Sequence, residues 1–373
     1  MSEVIRVLHV IGIMNRGGAE AMIMNLYRNI DRNKIQFDFV ENTFEKAAFD
    51  DEIKSLGGRI YNCPHYNGKN HFEYKKWWNN FFEEHNGEYK IIHGHIGSTA
   101  SIYLKIAKEY GLYTIAHSHS SGTDHSFNAL LYKMMSYNTR NIADYFFACA
   151  EVAGIDRYGN KVVNGTRFKV LNNAIDTDLF SFDEDIRLEM REKLGFSENN
   201  IVIGHVGRFL EVKNHSFLID VFDGIIRKNK NYRLLLVGGG PLENEIKDKV
   251  DRLGFSDFVV FAGICPDVYN YMQAMDVFVF PSVFEGLPVT LVEAQTCGLP
   301  CVISDGVPEE CILTNGLVST KKLSDSSENW ASYILNIDVS NRQSHKNEII
   351  SNNYDIKTTA KWLEDFYLEK CKK

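Results

Sequence analysis

Residues 284–293 read FEGLPVTLVE and set two carboxylates, Glu285 and Glu293, on either side of a Gly-Leu-Pro turn. Pro288 suits the first position of a helix, where its missing N–H costs nothing. The amides that follow, from Val289 onward, then lack intrahelical acceptors and make a seat for an anion. A helix starting there carries Glu293 about one and a half turns in, roughly 8 Å along the axis, while Glu285 stays in the loop. Acids flanking an anion site repel the anion unless each has hydroxyl donors of its own. A nucleotide-sugar meets that condition, with a ribose diol for one acid, sugar hydroxyls for the other, and a diphosphate between them. A pair of capping or surface glutamates has the same spacing, so the spacing alone leaves both readings open.

The cations for such a diphosphate stand in GHVGRFLEVKNH, where Arg208 and Lys213 lie five residues apart in the loop after a strand. An arginine binds phosphate oxygens with a fork of donors; the plain alternative is two solvated surface charges. In MNRGGAEAM, Gly17 and Gly18 allow close backbone approach at a strand-to-helix turn. The turn is not a full dinucleotide fingerprint, and a packing turn explains it equally well. The glycines of LLLVGGGPLENEI read as structural.

TIAHSHSSGTD puts His117 and His119 at the end of a strand, alternate residues facing the same way. His93 and His95 repeat the H-x-H arrangement in IIHGHIGS, on what should be the neighbouring strand. Either pair could line the acceptor side of a cleft. A metal site is a further option for the histidines, but no third ligand follows at helical spacing. Asp176 and Asp178 form a D-x-D that could hold Mg²⁺ or Mn²⁺. They sit in a connection between two units, and Arg208 with Lys213 already supply countercharge, so the segment reads as a hinge turn.

These groups need strands to hold them. VIRVLHVIG, FDFVEN, YKIIHGHIG, GLYTIAHSHS and ADYFFACA are short apolar runs separated by helical patterns, and the alternation restarts with NNIVIGHVGRF, YRLLLVGGGP, FVVFAGI, DVFVFPS and LPCVISD. Strand alternating with helix predicts a parallel sheet covered on both faces. The chain therefore reads as α/β with two Rossmann-like, doubly wound units, residues 1–182 and 183–355, facing across a cleft where ligands bind at the carboxyl ends of the strands. The amphipathic helix at 356–373 is long enough to return to the first unit. In FEYKKWWNNFFEE, positions 74, 77, 78, 81 and 82 form one helical stripe, which faces either the core or, less readily, a membrane surface.

With 373 residues, 44% hydrophobic and 24% charged, the chain has the length of two domains and an ordinary soluble composition. A net charge of −8 argues against nucleic acid as a partner. Seven cysteines without zinc-ligand pairing fit a reducing compartment. The first residues lack a basic leader and read as a strand, and no stretch approaches the ~20 apolar residues of a membrane span. A cytoplasmic location is expected.

Taken together, PSVFEGLPVTLVEAQTCGLPCVISD, GHVGRFLEVKNH, HVIGIMNRGGAE, LLLVGGGPLENE and NAIDTDLF resemble glycosyltransferase family 4, retaining enzymes of the GT-B fold, in the expected order over nearly the whole chain. Within it the sequence looks most like bacterial capsular and exopolysaccharide enzymes. The resemblance implies that Arg208 and Lys213 stabilise the donor diphosphate. It further implies that Glu285 contacts the transferred sugar, Glu293 the ribose hydroxyls, and His117 the sugar, with His119 a neighbouring alternative; His119 and His95 stay candidates for the acceptor side. Gly17, Gly18, Gly286, Leu287, Val289 and Thr290 would be donor-binding. No metal or other cofactor is implied. The partners would be a nucleotide-sugar, most simply UDP-linked, and a glycan or polyprenyl-linked acceptor, with peripheral contact to the inner membrane. Ala174 departs from the glycine usual in the family's N-G-[IV]-D, which bears on hinge geometry and on none of the chemical residues.

Competing activities differ in product or ligand. A nucleotide-sugar epimerase on the same plan would need no acceptor. A glycoside hydrolase would use Glu285 and Glu293 as acid and base, which the neighbouring cations and anion-binding turn oppose. A sensor or inactive subunit would not need Glu285, Glu293, Arg208 and Lys213 together. A dinucleotide oxidoreductase would need an acid after a full glycine fingerprint.

Overall fold

The computed structural model describes residues 4–15, 17–119 and 135–372. Contacts divide the chain into two compact units, 1–174 with 356–373, and 175–355. Each is built on one parallel sheet.

The first sheet contains β1 (Ile5–Ile11), β2 (Ile35–Glu41), β3 (Ile60–Asn62), β4 (Tyr89–Gly94), β5 (Tyr113–Ser118), β6 (Tyr145–Ala148) and β7 (Phe168–Val170). Their order is β3-β2-β1-β4-β5-β6-β7, every pair parallel. Because alternate residues point to opposite faces, both faces can be apolar, and both are covered. Val7, Ile91 and Ile115 face α1 (Gly18–Asn29); Leu8, Ile92 and Ala116 face α2 (His71–Glu84) and α3 (Ala100–Glu109). The aromatic stripe of α2 is committed to this core: Tyr74, Trp78, Phe81 and Phe82 are buried and Trp77 is half-buried. Burial of such side chains contributes about 1.5–3 kcal/mol each. The stripe is therefore not a face left over for a membrane. After the second unit the chain comes back as α7 (Ile356–Lys370), whose Ala360, Leu363 and Tyr367 complete the first core beside α1.

The second sheet contains β8 (Ile201–Val206), β9 (Tyr232–Val237), β10 (Val259–Gly263), β11 (Val277–Phe280), β12 (Cys301–Ser304) and β13 (Val318–Lys321), ordered β10-β9-β8-β11-β12-β13 and again parallel. Helices α4 (His215–Ile226) and α5 (Glu243–Leu253) cover one face and α6 (Val289–Thr296) the other.

The first unit ends at Ala174 rather than at 182, because Ile175 and Phe180 pack into the second core. The D-x-D segment is held there as a turn. Asp176 Oδ1 accepts the Asp178 N–H at 3.0 Å, Asp178 pairs with Lys346, and Thr177 Oγ1 donates to Asp355 Oδ1 at 2.7 Å. Among the described residues no helix is long and apolar enough to cross a membrane.

In both sheets the strand order reverses beside the first strand, between β1 and β4 and between β8 and β11. Loops leaving opposite ways at such a point open a crevice at the strands' carboxyl ends. The chemistry-bearing residues sit at these two ends.

Candidate functional site

In the second unit the loop after β8 is pressed into shape by the glycines after β9. Gly238 has φ +136°, and a Cβ there would lie 2.1 Å from Gly207 O; one on Gly240 would lie 2.6 Å from Phe209 O. Only glycine lets the two turns touch. Gly207 N–H donates to Val237 O at 3.0 Å and Phe209 N–H to Gly239 O at 3.1 Å, so the glycine triplet is structural. Arg208 sits between these anchored residues. It is exposed, and its guanidinium has no ion-pair partner among the described residues.

The chain then makes a 3-10 turn over Glu211–Lys213 and passes through Asn214 at φ 55° into α4. Val283 N–H, in the loop after β11, donates to Val212 O at 2.8 Å and ties the two switch-point loops together. Glu285 N–H donates to Gly306 O at 3.0 Å. Across this seam Lys213 Nζ donates to Glu285 Oε1 at 2.6 Å and stands 4.8 Å from the centre of the Phe280 ring. A cation and an acid expected to hold different parts of one ligand thus hold each other.

Helix α6 begins at Val289, with Pro288 as its cap residue rather than its first helical residue. The reason is backbone conformation: Pro288 has ψ 102°, extended rather than helical. Glu293 consequently lies about 6 Å along the axis, closer to the helix start than the sequence spacing suggests. The first-turn bond runs from Leu291 N–H to Pro288 O at 3.0 Å, which leaves the Val289 and Thr290 amides ahead of it as donors for an anion. Gly286 is exposed and Leu287 half-buried in the loop just before. Glu293 is half-buried, and burial pushes its carboxyl up to about 7. Arg208, Lys213, Glu285 and the α6 start belong to one end of one sheet. A cavity of about 580 Å³ elsewhere in the unit, walled by Asp276, Asn341 and Arg342, contains none of them. Arg342 is occupied there in bonding the Met272, Gln273, Met275 and Cys297 carbonyls.

In the first unit Gly17 is the cap residue of α1 and Gly18 its first residue. A Cβ on Gly17 would lie 2.2 Å from Glu20 Oε2, so the Glu20 carboxylate already folds over this helix start. Met14 N–H, in the same loop, donates to Glu41 Oε1 at 2.6 Å. Glu41 is fully buried and its other oxygen has no hydrogen-bond partner among the described residues; burial raises its carboxyl to about 7. Its signal in the sequence was an acid closing the apolar run FDFVE.

The two H-x-H pairs do lie on neighbouring strands, and His9 of β1 joins them. His9 Nδ1 and His95 Nε2 are 3.0 Å apart, and His95 Nδ1 and His119 Nε2 2.8 Å. His93 Nε2 is 3.2 Å from His117 Nδ1 and its Nδ1 is 2.6 Å from the Tyr367 hydroxyl of α7. Burial depresses all five imidazoles, His9 to about 3 and His119 to about 4, so they are neutral. The His9 and Tyr367 contributions escaped the sequence reading, since only the sheet order and the returning helix bring them in.

Sequence and structure relatives agree with this architecture. Residues 16–179 match the family described as Glycosyltransferase Family 4, and residues 186–354 match Glycosyl transferases group 1. The chain is 36% identical over 336 residues to "Putative glycosyltransferase EpsF" of Bacillus subtilis, covering 88% of this chain and 86% of that one. The chain belongs to the GT-B glycosyltransferases. This glycosyltransferase is also 24% identical over 392 residues to the capsular polysaccharide biosynthesis glycosyltransferase CapH of Staphylococcus aureus, covering 98% and 99% of the two chains. Its fold matches that of HepE of Anabaena, solved in complex with UDP, with a TM-score of 0.79 at 18% identity over 98% of this chain and 100% of that one. It is thus related to enzymes of exopolysaccharide and capsule biosynthesis.

Proposed function

We propose that the enzyme transfers a hexose, with retention of anomeric configuration, from a UDP-linked donor to a hydroxyl of a growing, lipid-linked capsule or exopolysaccharide glycan. The observation that carries the reading is the convergence at one sheet end of Arg208, the Lys213–Glu285 pair and the free amides of Val289 and Thr290, with Glu293 behind them. HepE, bound to UDP, supports the choice of nucleotide, and CapH the class of product.

The diphosphate sits on the α6 amides and draws Lys213 and Arg208 to its oxygens. Glu285, released from Lys213, accepts sugar hydroxyls, and Glu293 accepts the ribose diol. His117 faces the sugar. The bond from the anomeric carbon to the phosphate oxygen breaks, the bond to the acceptor oxygen forms on the same face, and the acceptor's proton passes to the departing phosphate oxygen. Negative charge grows on that phosphate, so fixed cations and amides aimed there supply the main acceleration. No metal is required at the diphosphate in this scheme, and the enzyme works in the cytoplasm, at the membrane face where its acceptor is displayed.

The test is a panel of nucleotide-sugars scored by thermal stabilisation and by enzyme-dependent release of the nucleoside diphosphate, followed by NMR of the product linkage. UDP-sugars should stabilise and turn over, giving the donor's own anomer. A crystal with UDP in which Lys213 and Glu293 face away from the nucleotide ends the proposal.

A further inference from the structure

The histidine cluster of the first unit is larger than any donor-site role requires. Its five imidazoles share one sheet face: β1 and β4 register His9 with His93, β4 and β5 register His93 with Ile115, and His95, His117 and His119 follow at two-residue steps. His95, His117 and His119 each offer a ring nitrogen within 4.8 Å of the others. The same three line a cavity of about 80 Å³, room for an ion with a water.

The outer hydrogen bonds have the pattern of a metal shell. His117 Nδ1 is engaged by His93, which is in turn engaged by the Tyr367 hydroxyl; His95 Nε2 is engaged by His9. Each of these bonds fixes a ring's orientation, and in the tautomers where His117 Nδ1–H donates to His93 and His95 Nε2–H donates to His9 the remaining lone pairs point inward. The inward His117 Nε2 is buried and has no hydrogen-bond partner among the described residues, on a residue 3% exposed, and the buried His119 Nδ1 also lacks one among them. His95 Nδ1 and His119 Nε2 stand 2.8 Å apart. Two nitrogens bound to one tetrahedral zinc, at about 2.0–2.1 Å each, stand roughly 3.3 Å apart. A small opening of the His95–His119 contact admits the ion.

The geometry points to a three-histidine site for a divalent transition metal of the zinc class, with His95, His117 and His119 as ligands, a water as fourth ligand, and His9 and His93 as the outer shell. Neutral imidazoles without a carboxylate select such borderline ions over Mg²⁺ or Ca²⁺. Occupancy ties up His117, the histidine the transfer scheme assigns to the sugar, so bound metal and transfer oppose each other. The binding site itself stands on the first unit alone and holds whether or not the donor reading does. Arg157 also lines the cavity, its Nη1 donating to Ser136 Oγ at 3.1 Å, which makes an anion the rival occupant.

The experiment uses full-length protein without an affinity tag, stripped by chelator and titrated with Zn²⁺ by calorimetry and with Co²⁺ by visible absorption. One ion per chain, with the ligand-field bands of tetrahedral nitrogen ligation, is the expected result. His95→Ala and His119→Asn should each weaken binding at least about 100-fold, and His9→Gln about 10–100-fold, while His345→Ala leaves it unchanged. His119 is half-buried after the end of β5, so its variant serves even where His95→Ala does not fold. Zn²⁺ binding equal in the His119 variant and the parent overturns the inference. So does stabilisation of the stripped protein by inorganic phosphate with none by Zn²⁺.

Discussion

Lys213 Nζ and Glu285 Oε1 stand 2.6 Å apart, 72 residues apart in the chain. Their side chains are 19% and 12% exposed, so each keeps a solvent edge. The pair neutralises the charge that the proposed scheme assigns to the diphosphate. In that scheme binding exchanges one anion for another at Lys213 rather than filling a bare cation site.

The first prediction follows from that exchange. In Lys213→Ala, Glu285 can still hydrate through its exposed edge, and the stability cost stays near 1 kcal/mol. The transition-state charge loses a fixed partner, for which about 10²–10³ in turnover is the usual loss. Steady-state transfer with a UDP-sugar, read beside a thermal melt, separates the two effects. A folded Lys213→Ala enzyme with near-parental turnover removes Lys213 from the mechanism.

Arg208 differs because no acid among the described residues pairs with it. Its loop is anchored by backbone bonds on both sides, from Gly207 and Phe209, so Arg208→Ala should leave the melting temperature unchanged. UDP affinity should fall by about tenfold or more, as expected for loss of a bidentate charged contact. Arg208→Lys should recover only part of it, because an ammonium lacks the fork. Calorimetry with UDP at two salt concentrations checks this; equal affinity in Ala and parent enzymes would place Arg208 outside the donor site.

Much of this arrangement is legible in the sequence. The strand and helix alternation announced two parallel sheets because both faces of each strand are buried, and continuous apolar runs follow from that. The α2 stripe gave its own face away by periodicity. What stayed hidden needed strand order or backbone angles. Lys213 meets Glu285 only because β8 and β11 are adjacent across the switch point. His9 joins His95 only because β1 lies beside β4, 86 residues along the chain. The start of α6 shifted by one residue on the ψ angle of Pro288, which composition does not encode. The end of the first unit moved to Ala174 on the packing of Ile175 and Phe180 into the second core.

Glu41 supplies a prediction about stability. Its carboxyl is raised to about 7 by burial, against an unfolded value near 4.5. Between those values the folded chain keeps a proton that the unfolded chain has lost, so folding stability falls as pH rises from about 4.5 to about 7 and then levels. Glu41→Gln retains an oxygen for the Met14 amide and carries no charge. It should raise stability at pH 8 by up to about 3 kcal/mol and change little at pH 4.5. Denaturant melts at both values decide; an equal shift at both shows that ionisation of Glu41 is not what matters.

Glu293 links the same electrostatics to donor binding. Its carboxyl, raised to about 7 by burial, is only half ionised near neutrality. In the proposed scheme ribose hydroxyls donate to the ionised form, so a bound donor lowers this value and affinity grows with the ionised fraction. That fraction rises about tenfold between pH 6 and pH 8 for a group titrating near 7. UDP-glucose is the right probe, because its diphosphate carries no proton in that range and cannot imitate the effect. The parent enzyme should bind it about tenfold more tightly at pH 8 than at pH 6. Glu293→Gln should bind more weakly at pH 8 with a flat profile across the range. A parent profile that is flat, or a Gln variant that keeps the slope, would detach Glu293 from the ribose and with it the position of the nucleotide along α6.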